Sequence, residues 1–219
     1  MKTVIFSDTH LTHKFDQRTF DYLVRIIHPA DRVIINGDFW DADTTTFDMF
    51  INSQWKQLFP LLIEKKTLYL YGNHDAQKFA DSRVNYFSVE QKKQYSMRVG
   101  KHVLRIEHGD LIVPLGPDVP YPTNAVNYWY NRLYGFVEHV GSKVLGRHFF
   151  IPYQFLFSHK AKKWTIANLD KDEILIMGHL HRAEHVPEKY YINHGIIRHG
   201  IGQYVLIEDE KLELVNEQY

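Results

Sequence analysis

Leu68-Tyr69-Leu70-Tyr71-Gly72-Asn73-His74-Asp75 decides how this chain is read. Aliphatic and aromatic residues run up to a glycine, and three polar side chains follow at once. A buried strand that must deliver functional groups into a cleft ends in this way. Asn73 offers a neutral oxygen to a cation, His74 a proton near neutral pH, and Asp75 a carboxylate able to orient the imidazole. Taken alone, the stretch favours a polar turn behind a core strand. Its weight comes from similar strand tips elsewhere in the chain.

Upstream, the apolar run Thr3–Phe6 ends at Ser7-Asp8-Thr9-His10, and Arg32–Ile35 ends at Asn36-Gly37-Asp38-Phe39-Trp40-Asp41. Between the strands, helical spacing is expected over Phe15–Ile27 and again over Thr46–Lys65. The order strand, helix, strand, helix, strand places polar groups at the C-terminal strand ends, where open α/β sheets bind ligands. Downstream, Tyr95–Val99 and His102–Glu107 read as a hairpin followed by His108-Gly109-Asp110. Ile174–Met177 is a buried strand ending at Gly178-His179-Leu180-His181, and Tyr190–Asn193, Gly202–Glu208 and Leu212–Val215 close the chain as short strands.

Residues 113–170 break the alternation. This segment opens with Pro114, Pro117, Pro120 and Pro122, then turns aromatic and is expected to be mainly helical. Tyr121, Tyr128, Trp129, Tyr130, Tyr134, Phe136, Phe149, Phe150, Phe155, Phe157 and Trp164 fall in it. Between Val119 and Lys171, seven basic residues face only Glu138 and Asp170, a local charge of +5. The whole chain carries 26 basic and 26 acidic residues, which speaks against a polyelectrolyte partner such as nucleic acid. Its 219 residues suit one domain, 1–219, with residues 113–170 as an insertion.

There is no cysteine, which excludes disulfides and thiolate metal sites and is compatible with a reducing compartment. The N-terminus turns polar at Ser7, so it reads as a strand and not as a signal peptide, and no apolar run reaches the length of a membrane span. The expected location is cytoplasmic.

The groups past the strand ends are Asp8, His10, Asp38, Asn73, His74, His108, His179 and His181. Nitrogen and oxygen donors of this kind suit manganese, iron or zinc, and there are more of them than one such ion takes. Two ions sharing a carboxylate fit better, with Asp38 as the natural bridge. Asp8/His10 and His179/His181 are spaced i, i+2, so on an extended backbone both members of each pair would face one cation.

The motifs Asp8-Thr9-His10, Gly37-Asp38-Phe39-Trp40-Asp41, Gly72-Asn73-His74-Asp75, His108-Gly109 and Gly178-His179-Leu180-His181 resemble, in order, those of the calcineurin-like metallophosphoesterases. The resemblance implies a four-layer αββα sandwich of two mixed sheets. It also implies two divalent cations, manganese foremost, and hydrolysis of a phosphoester or pyrophosphate by in-line attack of a hydroxide bridging them. Asp8, His10, Asp38 and His181 would hold one cation, and Asp38, Asn73, His108 and His179 the other. His74 would serve catalysis, protonating the departing oxygen with Asp75 as its orienting partner, while Asp41 stands behind the ligands.

The insertion is placed like the lid of the UDP-2,3-diacylglucosamine hydrolases, which implies a lipid-bearing or nucleotide-sugar substrate and peripheral contact with the inner membrane face. Those hydrolases carry Gly-Asn-Arg-Asp where this chain has Gly72-Asn73-His74-Asp75. Arginine clamps a pyrophosphate without readily giving up a proton, whereas histidine gives one. Small phosphodiesters or nucleic acid ends therefore stay open as substrates, as does a non-catalytic module on the same fold. Arg182, His194, Arg198 and His199 are candidates for touching a phosphate.

Overall fold

β1 (Thr3–Phe6), β2 (Arg32–Asn36) and β3 (Leu68–Leu70) are buried almost throughout, as strands covered on both faces must be. They run parallel, with Thr3–Phe6 opposite Arg32–Ile35 and Ile34–Asn36 opposite Leu68–Leu70. The computed structural model describes residues 1–114, 125–150 and 157–219. Pro117, Pro120, Tyr121, Pro122 and Phe155 lie outside these, as do the side chains of Tyr128, Tyr130, Arg132, Tyr134, Arg147 and Phe150.

β4 (Glu90–Lys92) adds a parallel edge beside β3. On the other side, β11 (Ile201–Glu208) pairs antiparallel with β1, and β10 (Ile197–Arg198) and β12 (Lys211–Gln218) pair with β11. A second sheet has the order β5 (Gln94–Val99), β6 (His102–Glu107), β7 (Glu173–Met177), β9 (Tyr191–Asn193), β8 (Glu184–Val186). Its central strands β6, β7 and β9 are parallel and its edges antiparallel. Both sheets are mixed. β4 and β8 were invisible to apolar patterning because they are short, polar edge strands, the form that discourages edge-to-edge association.

The inner faces of the sheets meet in one apolar layer, Ile5, Ile34, Leu68 and Leu70 from the first and Leu104, Ile106, Ile176 and Ile192 from the second. Outside the first sheet pack α1 (Gln17–Ile27), α2 (Phe47–Ile51) and α3 (Phe59–Glu64), through Leu23, Ile27, Phe50 and Leu62 among others. Asp16 caps α1 by accepting from the Thr19 backbone N–H at 2.7 Å, so the helix starts after Phe15. Thr46–Lys65 is three pieces, because Ser53 opens a separate 3-10 turn over Gln54–Leu58 and Pro60 begins a new helix. Proline supplies no N–H to an ongoing helix but suits a first turn.

Outside the second sheet lies α5 (His159–Asn168), whose Ala161 joins Val113, Leu175, Met177 and Tyr191 in a third cluster. Part of the 113–170 segment thus serves as the outer helical layer, completing the order helices, sheet, sheet, helix. What stands over the strand tips is α4 (Ala125–Leu145). Among the described residues no helix is long and apolar enough to cross a membrane.

Candidate metal centre

β1, β2 and β3 of one sheet and β6 and β7 of the other end at the same edge of the sandwich, and the candidate ligands follow those ends. The backbone there is not extended. Asp8, His10, Asp38, His179 and His181 all have positive φ, between 44° and 66°. Left-handed non-glycine residues cost about 1–3 kcal/mol each and persist where surrounding structure holds them, typically at functional sites. Side chains two apart therefore need not share a direction here as they would on an extended strand. Asp8 and His10 do face one point, but His179 and His181 turn to different ones.

Two groups of donors are built from the expected ligands, and His10, Asp41 and His74 form a third set at ligand spacing. Asp8, His10 and His181 converge, with His181 Nε2 3.1 Å from His10 Nε2 and 3.3 Å from an Asp8 carboxylate oxygen. Asp38, His108 and His179 form the second group, in which His108 Nε2 is 3.1 Å from Asp38 Oδ2 and 3.2 Å from Asn73 Oδ1. Asp38 Oδ2 is also 3.8 Å from His10 Nε2, so this carboxylate lies between the groups. Two imidazole nitrogens facing each other, with carboxylates alongside, form the donor set of a cation site. His108 Nδ1–H donates to the Asn36 carbonyl at 2.9 Å, which leaves Nε2 as the lone-pair nitrogen. His179 Nε2–H donates to the Val113 carbonyl at 2.9 Å, which leaves Nδ1 for the site.

The electrostatics agree. Burial pushes the Asp38 carboxyl up, but His108, His74 and His10 outweigh it and hold the group well below the usual carboxylate range. Burial raises Asp8 as well, and His181 and His108 reverse the shift. Conversely, burial lowers His108 and His181, yet Asp38 lifts the first to about 10 and Asp8 with Glu138 lifts the second to about 9. These buried carboxylates are ionised because positive charge surrounds them, and divalent cations would take over that role while displacing the imidazole protons.

Two glycines leave the room for this arrangement. A Cβ on Gly72 would sit 2.7 Å from the Asp38 backbone nitrogen and press on its carboxylate, and one on Gly37 (φ +85°) would sit 2.8 Å from the Gly72 Cα. The obstacle at Gly72 is backbone, which cannot swing aside. Gly72→Ala should lower stability by about 1–3 kcal/mol, the usual cost of overpacking. It should also weaken metal binding, read by denaturant melts and manganese titration; wild-type affinity would show that Asp38 tolerates displacement.

His74 lies beside the first group without closing it. Its Nδ1 is 3.3 Å from Asp41 Oδ1 and 3.1 Å from Asp43 Oδ2, and its ring meets that of His10 edge-on at 4.7 Å. Burial would lower its pKa, but Asp38, Asp41 and Asp43 together raise it well above the ordinary value. The assignment of Asp75 as its partner is corrected. Asp75 is fully buried, and its two oxygens accept the backbone N–H groups of Gly72 and Phe39, each at 2.7 Å. It ties the tips of β2 and β3 together and makes no hydrogen bond to the imidazole, whose Nδ1 faces other acids. Asp43, missed in the sequence, takes that place with Asp41; the signal available was a second acid two residues after Asp41.

Of the suggested phosphate contacts, His194 is withdrawn by burial. It is enclosed between Asn36 Nδ2 at 3.1 Å and Ser7 Oγ at 3.4 Å, and burial holds its pKa at about 4. A neutral, solvent-free imidazole there supports the strand tips. Arg182 Nη1 is buried and meets no hydrogen-bond partner among the described residues. Arg198 and His199 line a cavity of about 370 Å³ that reaches His10 and also receives Lys14, Arg18 and Lys143. Across the site, a cavity of about 570 Å³ reaches Asn73 and His108 and is lined by Tyr71, Lys78, Lys93 and Leu111.

Comparison with known proteins follows the same direction. The family model for calcineurin-like phosphoesterases matches residues 1–198. An archaeal phosphodiesterase of known structure is similar at 17% identity, with 99% of each chain covered and a TM-score of 0.50. Yfce, a phosphoesterase from E. coli, is similar at 15% identity over 98% of this chain and 92% of that one, with a TM-score of 0.49. Comparison with curated protein sequences finds no match. At 17% identity the archaeal structure speaks to fold alone, while the family model spans most of the chain. The chain belongs to the calcineurin-like phosphoesterases, metal-dependent hydrolases of phosphoesters built around a dinuclear divalent centre.

Proposed function

We propose that this chain hydrolyses a phosphodiester or pyrophosphate bond in a lipid-bearing substrate, such as an acylated nucleotide sugar, with His74 as the proton donor to the leaving oxygen. Asp8, His10, Asp38 and His181 would hold one cation, and Asp38, Asn73, His108 and His179 the other, manganese being favoured over iron or zinc. Bound there, the cations supply Lewis acidity to a water and to the phosphoryl oxygens. The chain's own part is to hold a proton at His74, beside the ligands, at neutral pH. The observation that carries the reading is the placement of His74 between Asp41, Asp43 and the His10 ring.

Two further features support an amphiphilic substrate. The cavity beside His10 is rich in cationic side chains and suits an anionic part, while the one beside Asn73 offers Tyr71 and Leu111 along with Lys78 and Lys93. On α4, Trp129, Leu133, Phe136, Val137, Val140 and Val144 are exposed, and their spacing puts them along one side of the helix. An apolar face with basic neighbours fits peripheral contact with an anionic lipid surface.

Manganese-loaded protein should therefore cleave acylated UDP-sugars with kcat/KM at least about tenfold above their deacylated forms, a modest return for burying two or more methylenes. Equal rates would remove the lipid from the reading. Preference for small diesters or single-stranded DNA ends would put the alternative in its place.

A further inference from the structure

α4 exposes much of its apolar surface and buries its single acid. Trp129 is 66% exposed and Phe136 63%, whereas Glu138 is 1% exposed. A carboxylate taken out of water costs several kcal/mol unless charge meets it. Glu138 is met on two sides, by His181 Nδ1 at 3.5 Å from Oε1 and by Arg198 Nη1 at 3.4 Å from Oε2. The opposite nitrogen of the same imidazole, His181 Nε2, faces Asp8 and His10. The neighbouring polar residues of α4 turn the same way, Ser142 being buried and His139 Nδ1 lying 3.1 Å from His199 Nδ1. The polar face of α4 is thus turned to the strand tips.

We propose that Glu138 is a positioning residue of the metal centre, orienting His181 from its outer nitrogen, so that α4 completes the site and is itself seated by the bound cation. The inference rests on His181 being a ligand, as proposed above. A ligating histidine that presents its other nitrogen to a carboxylate is held in one tautomer and orientation and made more basic, and loss of such a partner costs about 10–100-fold in metal affinity. The coupling must be reciprocal. If the seated helix tightens the cation by some factor, the cation favours the seated helix by the same factor.

The test uses the full chain and manganese alone. Calorimetric titration of Glu138→Ala should show one of the two sites weakened about 10–100-fold and the other near wild type. Glu138→Gln, which keeps an acceptor and loses the charge, should fall between. In the wild type, hydrogen exchange of α4 amides should slow on adding manganese. Wild-type affinity at both sites in Glu138→Ala, equal weakening of both, or α4 exchange indifferent to manganese would each overturn the proposal. If the alanine variant does not fold, the glutamine variant and the wild-type exchange experiment still decide it. The two readings can fail separately. A wild type that hydrolyses no phosphoester but shows these metal effects would lose only the proposed function, and an active enzyme without them would lose only the role of Glu138.

Discussion

Asp38→Asn should abolish manganese-dependent hydrolysis and lower metal affinity by more than the roughly 100-fold that loss of an outer partner costs. The reason is the position of this one carboxylate. Oδ2 is 3.1 Å from His108 and 3.8 Å from His10, one donor from each group, so both groups lose negative charge in the substitution. Oδ1 meanwhile accepts the His74 backbone N–H at 2.9 Å, a bond an amide oxygen can keep. Backbone geometry should survive and charge should not. Metal analysis should find the variant short of both ions, with circular dichroism unchanged. Full activity, or loss of a single ion, would remove Asp38 from the shared position.

His74→Ala has the opposite signature. Metal content should stay at the wild-type level while kcat falls about 10²–10⁴-fold, the usual contribution of a positioned proton donor. Loss of metal would instead make His74 a ligand, a real alternative because His10, Asp41 and His74 also lie at ligand spacing. The pH profile adds a second check. In the metal-free chain Asp38, Asp41 and Asp43 raise the His74 pKa against the effect of burial; with Asp38 engaged by cations, Asp41 and Asp43 still favour the acid form, which is lost as pH climbs through the raised value. Wild-type kcat should hold through neutrality and decline on the alkaline side. His74→Gln should lack that decline, and a wild-type rate that fell instead from pH 6 to 7 would contradict the assignment.

The partner of His74 shows where sequence reasoning stops. Asp75 adjoins His74 in the chain, and adjacency suggested a pair. Folding sends the Asp75 side chain inward to the amides of Gly72 and Phe39, while Asp41 and Asp43 arrive from the β2 loop. The histidine pair at 179 and 181 was misjudged for a related reason. A period of two holds on a strand, but left-handed residues at the tip reverse the direction in which side chains leave the chain. Thr46–Lys65 kept its apolar stripe and lost its continuity at Ser53 and Pro60.

By itself the sequence determined the buried strands, since apolar runs such as Thr3–Phe6 and Ile174–Met177 can only be interior, and it determined the donor types, since each follows a strand end. The stretch from Leu68 to Asp75 carried both kinds of information at once. Only the tertiary structure decided which donors share a point, which acid faces His74, and that Glu138 of a basic helix reaches His181. Those are distances between residues 31 to 173 positions apart, set by how two sheets close on each other, and a local pattern of side chains holds no record of them.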